Sequence, residues 1–245
     1  LPTQPNTEHR MENPMSLFQR QLFDSETWTY TYLIADRESG KAALIDPVLE
    51  QVDRDLALIE ELGFELVYVL ETHVHADHIT AAGELRKRTG ATTVASPLGA
   101  ACVDMQVEHG QKLPLGALEI EALATPGHTD DSMSFRVGEH LYTGDTLFVR
   151  GTGRADFQNG SPAALYNSIT KVLFSLPDHT QVWPGHDYKG QSASTIGEEK
   201  RFNPRIANRS LGEFEDIMNN LGLPAPKKLA ESVPANRRCG QALAQ

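Results

Sequence analysis

Four side chains of the types that bind metal ions fall within six residues of this sequence: His73, His75, Asp77 and His78. Imidazole and carboxylate groups that converge on one spot would leave buried polar atoms unpaired unless a cation lies between them. A divalent metal ion satisfies that requirement. The stretch therefore predicts a metal site rather than a merely polar loop.

Three distant residues share a sequence context that suggests they belong to the same site. His128 and His186 each follow a Pro-Gly pair, and Asp145 follows Gly144 at the end of a predicted strand. A lone His after Pro-Gly is usually a surface or hydrogen-bonded residue, but all three lie in glycine-containing loops after β-like runs. The sequence predicts that they complete the site. Four other histidines lack this setting and are expected to be solvated: His9, His109, His140 and His179.

The elements before and after the His-rich stretch are those of an α/β protein. Residues 29–34 and 42–45 are predicted to form a hairpin, and residues 48–62 a helix with one buried stripe. Residues 66–70 are apolar throughout, which is typical of a central strand covered on both faces. A helix over 79–89 and a strand over 92–95 complete a strand-helix-strand unit. The His-rich stretch thus lies at the carboxyl end of a strand, where open α/β sheets bind ligands.

The second half of the chain begins as a β-rich region over 117–145, whose loops contain His128 and Asp145. Ser161 with Pro162 predicts the start of a helix, and the capping-box pattern from Ser210 to Glu213 predicts another. Prolines punctuate the C-terminal region, which is expected to be extended rather than helical: Pro224, Pro226 and Pro234.

Composition and charge exclude several classes of protein. The chain has 245 residues, 40% of them hydrophobic and 22% charged, as in ordinary globular proteins. A net charge of −11 disfavours nucleic-acid binding, because that affinity rests on cations that neutralise phosphates. No apolar run is long enough to span a bilayer, and no signal core opens the chain. We therefore expect no nucleic acid, no membrane and a cytoplasmic location.

Two further expectations concern the cysteines and the termini. Cys102 and Cys239 are too few for a disulfide framework, and Cys239 is expected to be a small buried hydrophobic residue. Residues 1–12 have two prolines and no apolar period, which indicates a disordered tail or a cloning remnant. Residues 13–245 are expected to be one domain with a short C-terminal extension.

These motifs resemble, in order, the metal motifs of metallo-β-lactamase-fold proteins: Thr72-His-Val-His-Ala-Asp-His78, Pro126-Gly-His128, Gly144-Asp145 and Pro184-Gly-His186. The resemblance spans residues 16–190. It implies an αββα sandwich of two mixed β-sheets flanked by helices, with the metal at one edge between the sheets. It also leaves two chemistries open.

One chemistry is that of glyoxalase II, a zinc-dependent thioester hydrolase with two metal ions. Resemblance to it implies His73, His75 and His128 on one metal and Asp77, His78 and His186 on the other, with Asp145 as the bridge. Two metals would lower the pKa of a shared water and stabilise the tetrahedral intermediate. Glyoxalase II proteins usually have a longer helical C-terminal domain, whereas this chain ends about sixty residues past His186.

The other chemistry belongs to the persulfide dioxygenases, also called sulfur dioxygenases, and the resemblance to them is closer. It adds residues 79–83, 146–148, 153–158, 187–188, 199–204 and 233–240. It implies that His73, His128 and Asp145 are the catalytic residues and bind one Fe(II) per chain, the arrangement of non-haem oxygenases. His75, Asp77, His78 and His186 would support these ligands. The enzyme would oxidise glutathione persulfide with O₂ to sulfite and glutathione.

Substrate contacts are expected at Arg154, Tyr188 and Arg238, because an anionic thiol needs cations and hydrogen-bond donors near the metal. For Arg154, a structural ion pair with Asp156 or Asp187 is an equal alternative. The cationic residues of 200–209 are expected to form a solvated face. A homodimer remains possible. A third class of function is a metal-bound redox or interaction protein without catalysis, in which the metal would have no open coordination position.

Overall fold

Two mixed β-sheets of six strands each pack face to face in the computed structural model, which describes residues 16–226 and 228–241. The first sheet follows the chain order: β1 (Leu17–Asp24), β2 (Thr29–Asp36), β3 (Lys41–Ile45), β4 (Glu65–Leu70), β5 (Thr92–Ala95) and β6 (Met105–Gln106). The second runs β7 (Lys112–Leu115), β8 (Leu118–Ala124), β9 (Met133–Val137), β10 (His140–Gly144), β11 (Gln181–Pro184) and β12 (Ser194–Thr195).

Helices cover the outer faces of both sheets. They are α1 (Val52–Glu61), α2 (Ala82–Thr89), α3 (Pro162–Asn167), α4 (Ile196–Phe202), α5 (Leu211–Asn219) and α6 (Leu229–Asn236). The turn of α3 continues without interruption through wider and then tighter helical turns to Ser175. None of the described helices is long and apolar enough to cross a membrane.

Strand β2 shows why the layers form, because every one of its residues is buried. Successive side chains of a strand point to opposite faces. Tyr32 and Ile34 therefore pack between the sheets with Phe135 of β9, while Leu33 and Ala35 pack on the other face in the cluster that includes α1 and α2. A strand buried on both faces requires cover on each side, and this gives the first αβ pair of layers.

The second sheet is covered in the same way. Leu141 of β10 and Val182 of β11 pack against Leu165, Ile169 and Phe214, which come from the helical region that begins with α3 and from α5. The resulting order of layers is helix, sheet, sheet, helix. The predicted αββα sandwich with two mixed sheets is confirmed.

Most of the predicted elements are present. β2 and β3 pair antiparallel as the predicted hairpin, and β4 lies between two parallel neighbours. The Ser161 hydroxyl accepts a hydrogen bond from the Ala164 amide, with Pro162 at the first helical position. Ser210 and Glu213 form the predicted capping box. The helix expected over 79–89 begins only at Ala82.

The prediction of an extended C-terminal region was wrong for α6, which contains Pro234. Proline lacks an N–H and cannot make the hydrogen bond of an interior helical residue. The helix nevertheless buries Ser232, Ala235 and Asn236 against the rest of the protein. Tertiary burial, which the sequence pattern alone did not reveal, outweighs the cost of the proline. The expectation for residues 1–12 lies outside the described residues.

The expectation for the two cysteines also needs correction. Cys102 and Cys239 form a disulfide between residues 137 positions apart in the sequence, with a Cα–Cα distance of 6.0 Å. Cys239 is buried, as expected. No local spacing could have paired the two cysteines, because only the tertiary fold brings residues so far apart in the sequence together.

A buried carboxylate in α1 makes the stability of the fold depend on pH. Burial raises the pKa of Asp55 to about 6, against the partly compensating effect of the neighbouring Arg54. Because the pKa is raised in the folded state, the protonated carboxyl favours folding. This contribution to the free energy of unfolding is complete below pH 3.8 and is lost as the pH rises through about 6. We expect Asp55→Asn to raise the free energy of unfolding at pH 7 by roughly 3 kcal/mol and to change it little at pH 3.5.

Urea unfolding at both pH values measures this difference. Asp53→Asn is the matched control, because Asp53 lies in the same helix with its side chain exposed, and it should show no such pH-dependent gain. A gain for Asp55→Asn that is equal at both pH values would contradict the assignment to ionisation.

Candidate metal centre

Four loops place the predicted ligands, and each follows the carboxyl end of a strand. The His-rich loop follows β4, His128 follows β8, Asp145 follows β10 and His186 follows β11. β10 and β11 are parallel neighbours, and an isolated bridge joins Thr29 to His186 across the sheets. All four loops therefore meet at one edge of the sandwich, between the two sheets.

Three of these side chains form one compact group at this edge. The ligand atoms of His73, His128 and Asp145 all lie within 4.8 Å of one another. The His128 Nε2 is 3.4 Å from a carboxylate oxygen of Asp145, and the rings of His73 and His128 are perpendicular with centroids 4.8 Å apart. Two imidazoles and one carboxylate thus face a common point, as in a site for a transition metal.

A second group adjoins the first. The ligand atoms of His75, Asp77 and His78 also lie within 4.8 Å of one another. His186 connects the groups, since its Nε2 is 3.5 Å from carboxylate oxygens of both Asp77 and Asp145. The structure therefore brings together all seven residues that the sequence singled out.

Protein acceptors fix the orientation of three of the imidazoles. The Nδ1 of His128 lies 2.7 Å from the carbonyl oxygen of Arg154, and the Nδ1 of His186 lies 2.8 Å from that of Trp28. The Nδ1 of His73 is 3.0 Å from the hydroxyl oxygen of Thr72. A carbonyl oxygen only accepts, so Nδ1 carries the proton in His128 and His186, and Nε2 keeps its lone pair for a metal.

His75 is held the opposite way round. Its Nε2 lies 3.1 Å from Asp46 and 3.3 Å from Glu71, so its Nδ1 is directed elsewhere. The Nδ1 of His75 and the Nε2 of His78 are buried and have no hydrogen-bond partner among the residues that the structure describes. Unpaired buried nitrogens of this kind are costly unless a cation satisfies them. The donor set therefore fits a metal ion.

The electrostatics of the centre suit metal ligands. Burial lowers the pKa of His73 well below its ordinary value, and the neighbouring His75 and His128 lower it further. Burial opposes ionisation of Asp77, but His78 and His186 outweigh it and lower the pKa of this carboxyl. A neutral imidazole and an ionised carboxylate are the forms that bind metal, so the shifts at His73 and Asp77 favour metal binding. The pKa of His75 is instead raised well above its ordinary value, because Asp46 and Glu71 outweigh the effect of burial.

Asp46 is a functional residue that the sequence reasoning missed. It is buried at the end of β3 with a left-handed φ of 51°. Its carboxylate accepts hydrogen bonds from the amide and the hydroxyl of Thr72 and lies against His75. The Thr72 hydroxyl can then accept the proton of His73 Nδ1, which makes a chain from ligand to carboxylate. The signal was present, because Asp46, like Asp145, follows a β-like run directly.

Other missed residues hold the loop between His73 and His75. The amide of Val74 donates to the Asp131 carboxylate over 2.8 Å, and its carbonyl accepts from the Gln158 side chain over 2.6 Å. Gln158 belongs to the 153–158 stretch of the family resemblance. The loop follows a strand of the first sheet and is fixed by side chains from two loops of the second sheet, which no short motif could show.

The predicted substrate contacts have different surroundings. Tyr188 is exposed, and its ring stacks on His186 at a centroid distance of 5.8 Å with Trp28 beside it. Arg154 is engaged by Asp156, the structural alternative, and by the carbonyl oxygens of residues 223 and 224. Arg238 donates to the carbonyl of Gln241. Their role in substrate binding stays a prediction.

The cationic region of 200–209 is only partly a solvated face. Lys200 pairs with the exposed Asp178, and Arg201 is itself exposed, as expected. Arg205 is instead half-buried and donates to the carbonyl oxygen of Thr152 over 2.6 Å.

Comparison with known proteins agrees with this geometry. The family model described as "Metallo-beta-lactamase superfamily" matches residues 29–101 and 103–186, which include the whole ligand set. The fold and the site thus define the class of protein.

Within that class, three mammalian relatives carry the name Persulfide dioxygenase ETHE1, mitochondrial. The human protein is 46% identical over 90% of this chain and 88% of its own length, and the Bos taurus protein is 45% identical with the same coverage. The crystal structure of ETHE1 from Myxococcus xanthus is 59% identical, with a TM-score of 0.91 over 91% of this chain and 100% of that one. The chain belongs to the persulfide dioxygenase ETHE1 family of the metallo-β-lactamase superfamily. The predicted resemblance is confirmed, and the glyoxalase II alternative has less support.

The acceptor role of Asp46 can be tested by Asp46→Asn. The amide has the same shape, but it replaces one acceptor oxygen with an N–H that faces the donors of Thr72 or His75. We expect metal affinity to fall roughly 10–100-fold, the usual effect of losing such a supporting partner. Competition with a chelator measures it. Asp36→Asn, a buried carboxylate at the far end of β2, should retain wild-type affinity; an equal loss in both variants would contradict a specific role.

Proposed function

We propose that the chain is an iron-dependent dioxygenase that oxidises glutathione persulfide to sulfite and glutathione with O₂. The observation that carries the proposal is the group formed by His73, His128 and Asp145, whose ligand atoms lie within 4.8 Å of one another. Two histidines and one carboxylate are the ligand set of non-haem Fe(II) oxygenases and leave coordination positions for other molecules. Membership of the ETHE1 family supports the same reaction.

Fe(II) at this site would supply the redox chemistry of O₂, which no amino-acid side chain provides. The contribution of the chain is to hold the three donor atoms in place and keep them in the correct protonation state. The acceptors at Thr72 and Arg154 do this for the two imidazoles. We assign His75, Asp77, His78 and His186 to the support of this set, with one iron per chain.

The overall reaction balances without a redox group in the protein. One persulfide, one O₂ and one water give glutathione, sulfite and two protons. The sulfur–sulfur bond breaks, the outer sulfur is oxidised, O₂ is reduced, and water supplies the third oxygen of sulfite. Bulk water and buffer take up the released protons.

For the substrate, we propose contacts at Tyr188, Arg154 and Arg238. Tyr188 is supported best, because its exposed ring stacks on His186, whose Nε2 lies 3.5 Å from Asp145. Trp28 is also exposed and adjoins Tyr188, so the two rings form an aromatic rim beside the metal site. Such rims bind flat peptide groups of the kind found in glutathione. Arg154 would contact substrate only by giving up part of its present set of partners.

The remaining proposals concern the cellular compartment and the binding partners of the protein. We retain the cytoplasm as the proposed compartment; the mammalian relatives are named as mitochondrial. We propose no nucleic-acid or membrane partner.

The proposed reaction is tested by oxygen uptake with glutathione persulfide after reconstitution with Fe(II). We expect His73→Ala, His128→Ala and Asp145→Ala each to abolish uptake, because each removes one ligand from the iron. His179→Ala removes an exposed imidazole outside this group and should leave uptake unchanged. Full activity of metal-free protein, or of a ligand variant, would contradict the proposal.

The unpaired nitrogens of His75 and His78 favour one second candidate, a zinc-dependent thioester hydrolase with a second metal on those atoms. That enzyme would hydrolyse S-D-lactoylglutathione after reconstitution with Zn(II). Hydrolysis at an enzymatic rate together with absent oxygen uptake would replace the dioxygenase proposal with this one.

A further inference from the structure

The C-terminal stretch over 233–240 matches the family but has no part in the centre described above. In the structure it forms the last turn of α6 and the residues that follow, and it lies against the His-rich loop. Asn236 is 3% exposed at the point of contact. A buried amide needs several partners, so its hydrogen bonds show what the stretch does.

Asn236 uses its side chain entirely on the metal-binding loop. Its Nδ2 donates to the carbonyl oxygens of His75, over 2.9 Å, and of His78, over 2.8 Å. Its Oδ1 accepts from the amide of Thr80 over 2.8 Å. The carbonyls of a non-helical loop have no regular partner, and one buried amide satisfies two of them. Asn236 thereby fixes the backbone of two residues whose rings face the metal site.

The backbone of the stretch approaches the loop too closely for side chains to intervene. The carbonyl of Cys239 accepts from the amide of Gly83 over 2.9 Å, and a Cβ on Gly83 would lie 2.6 Å from that oxygen. A Cβ on Gly240 would lie 2.0 Å from the carbonyl oxygen of Thr80. Both positions therefore require glycine, which explains two of the glycines in the family stretches.

The disulfide holds this stretch from the other side. Cys239, only three residues after Asn236, is bonded to Cys102. Cys102 lies in the loop between β5 and β6. A covalent link to a distant part of the chain limits how far α6 can move away from the His-rich loop. The side-chain hydrogen bonds of Asn236 and the disulfide therefore act on the same short stretch.

We propose that Asn236 is a positioning residue for the metal centre and that the Cys102–Cys239 disulfide keeps it in place. The rings of His73 and His75 have centroids 4.1 Å apart, and those of His75 and His78 are 4.3 Å apart. Release of the backbone at His75 and His78 therefore loosens the packing that holds His73 at the metal. This inference rests on the proposed metal site, and it does not depend on which reaction the site performs.

The test is the rate at which Fe(II)-loaded protein gives up its metal to an excess of a colorimetric chelator. We expect Asn236→Ala to release iron about tenfold faster than wild type, in line with other supporting partners of metal ligands. Asn236→Asp keeps the acceptor for Thr80 but places an oxygen against the two carbonyls, and it should release iron at least as fast. Wild-type release by either variant would overturn the proposal.

Asp36→Ala is the matched control for a general loss of stability. Asp36 is also buried and binds backbone amides, including that of Ala117, but at the far end of β2. We expect it to lower the melting temperature and to leave the release rate unchanged. Equal acceleration in Asp36→Ala and Asn236→Ala would reduce Asn236 to a merely structural role and overturn the proposal.

The double variant Cys102→Ala/Cys239→Ala tests the disulfide. It should release iron at a rate between those of wild type and Asn236→Ala, because the amide bonds remain. A wild-type rate would overturn the part assigned to the disulfide. If wild-type protein takes up no iron, the dioxygenase proposal fails, and the same rates are measured with Zn(II), which the same donors bind.

Discussion

The direction of a few nitrogen lone pairs is the constraint on which the structure of this protein depends. A protein acceptor for one nitrogen of an imidazole fixes the tautomer and the ring orientation, so that the other nitrogen faces the metal. At this site the carbonyl oxygens of Arg154 and Trp28 commit His128 and His186, and the hydroxyl of Thr72 commits His73. If those acceptors shifted, the same residues would remain nearby but would no longer face one point.

The sandwich brings the metal ligands and the hydrogen-bond acceptors that orient them from distant parts of the chain to one edge. Each ligand loop leaves the carboxyl end of a strand whose apolar residues pack in the core, and this packing limits movement of the strand ends. Buried carboxylates at Asp46 and Asp131 then fix the loop backbone between the sheets. Core packing thus fixes the positions of the ligand atoms, as a preorganised site requires.

Local patterns predicted many of the strands and the seven converging residues, whereas the order of the layers followed from the family resemblance. Alternating or continuous apolar runs identified β2 and β4, and the spacing of His73 to His78 identified the loop. What it missed depends on contacts between distant residues. Asn236 bonds His75 across 161 positions, and the disulfide joins residues 137 apart. Pro234 misled the prediction because tertiary burial outweighed local preference.

The measurement that tests this account most directly is the metal content of the protein isolated from the cells that make it. The geometry of His73, His128 and Asp145 predicts one iron per chain and no stoichiometric zinc. Two metal ions per chain, with Asp145 shared between them, would contradict the single-iron centre and with it the oxidative reaction.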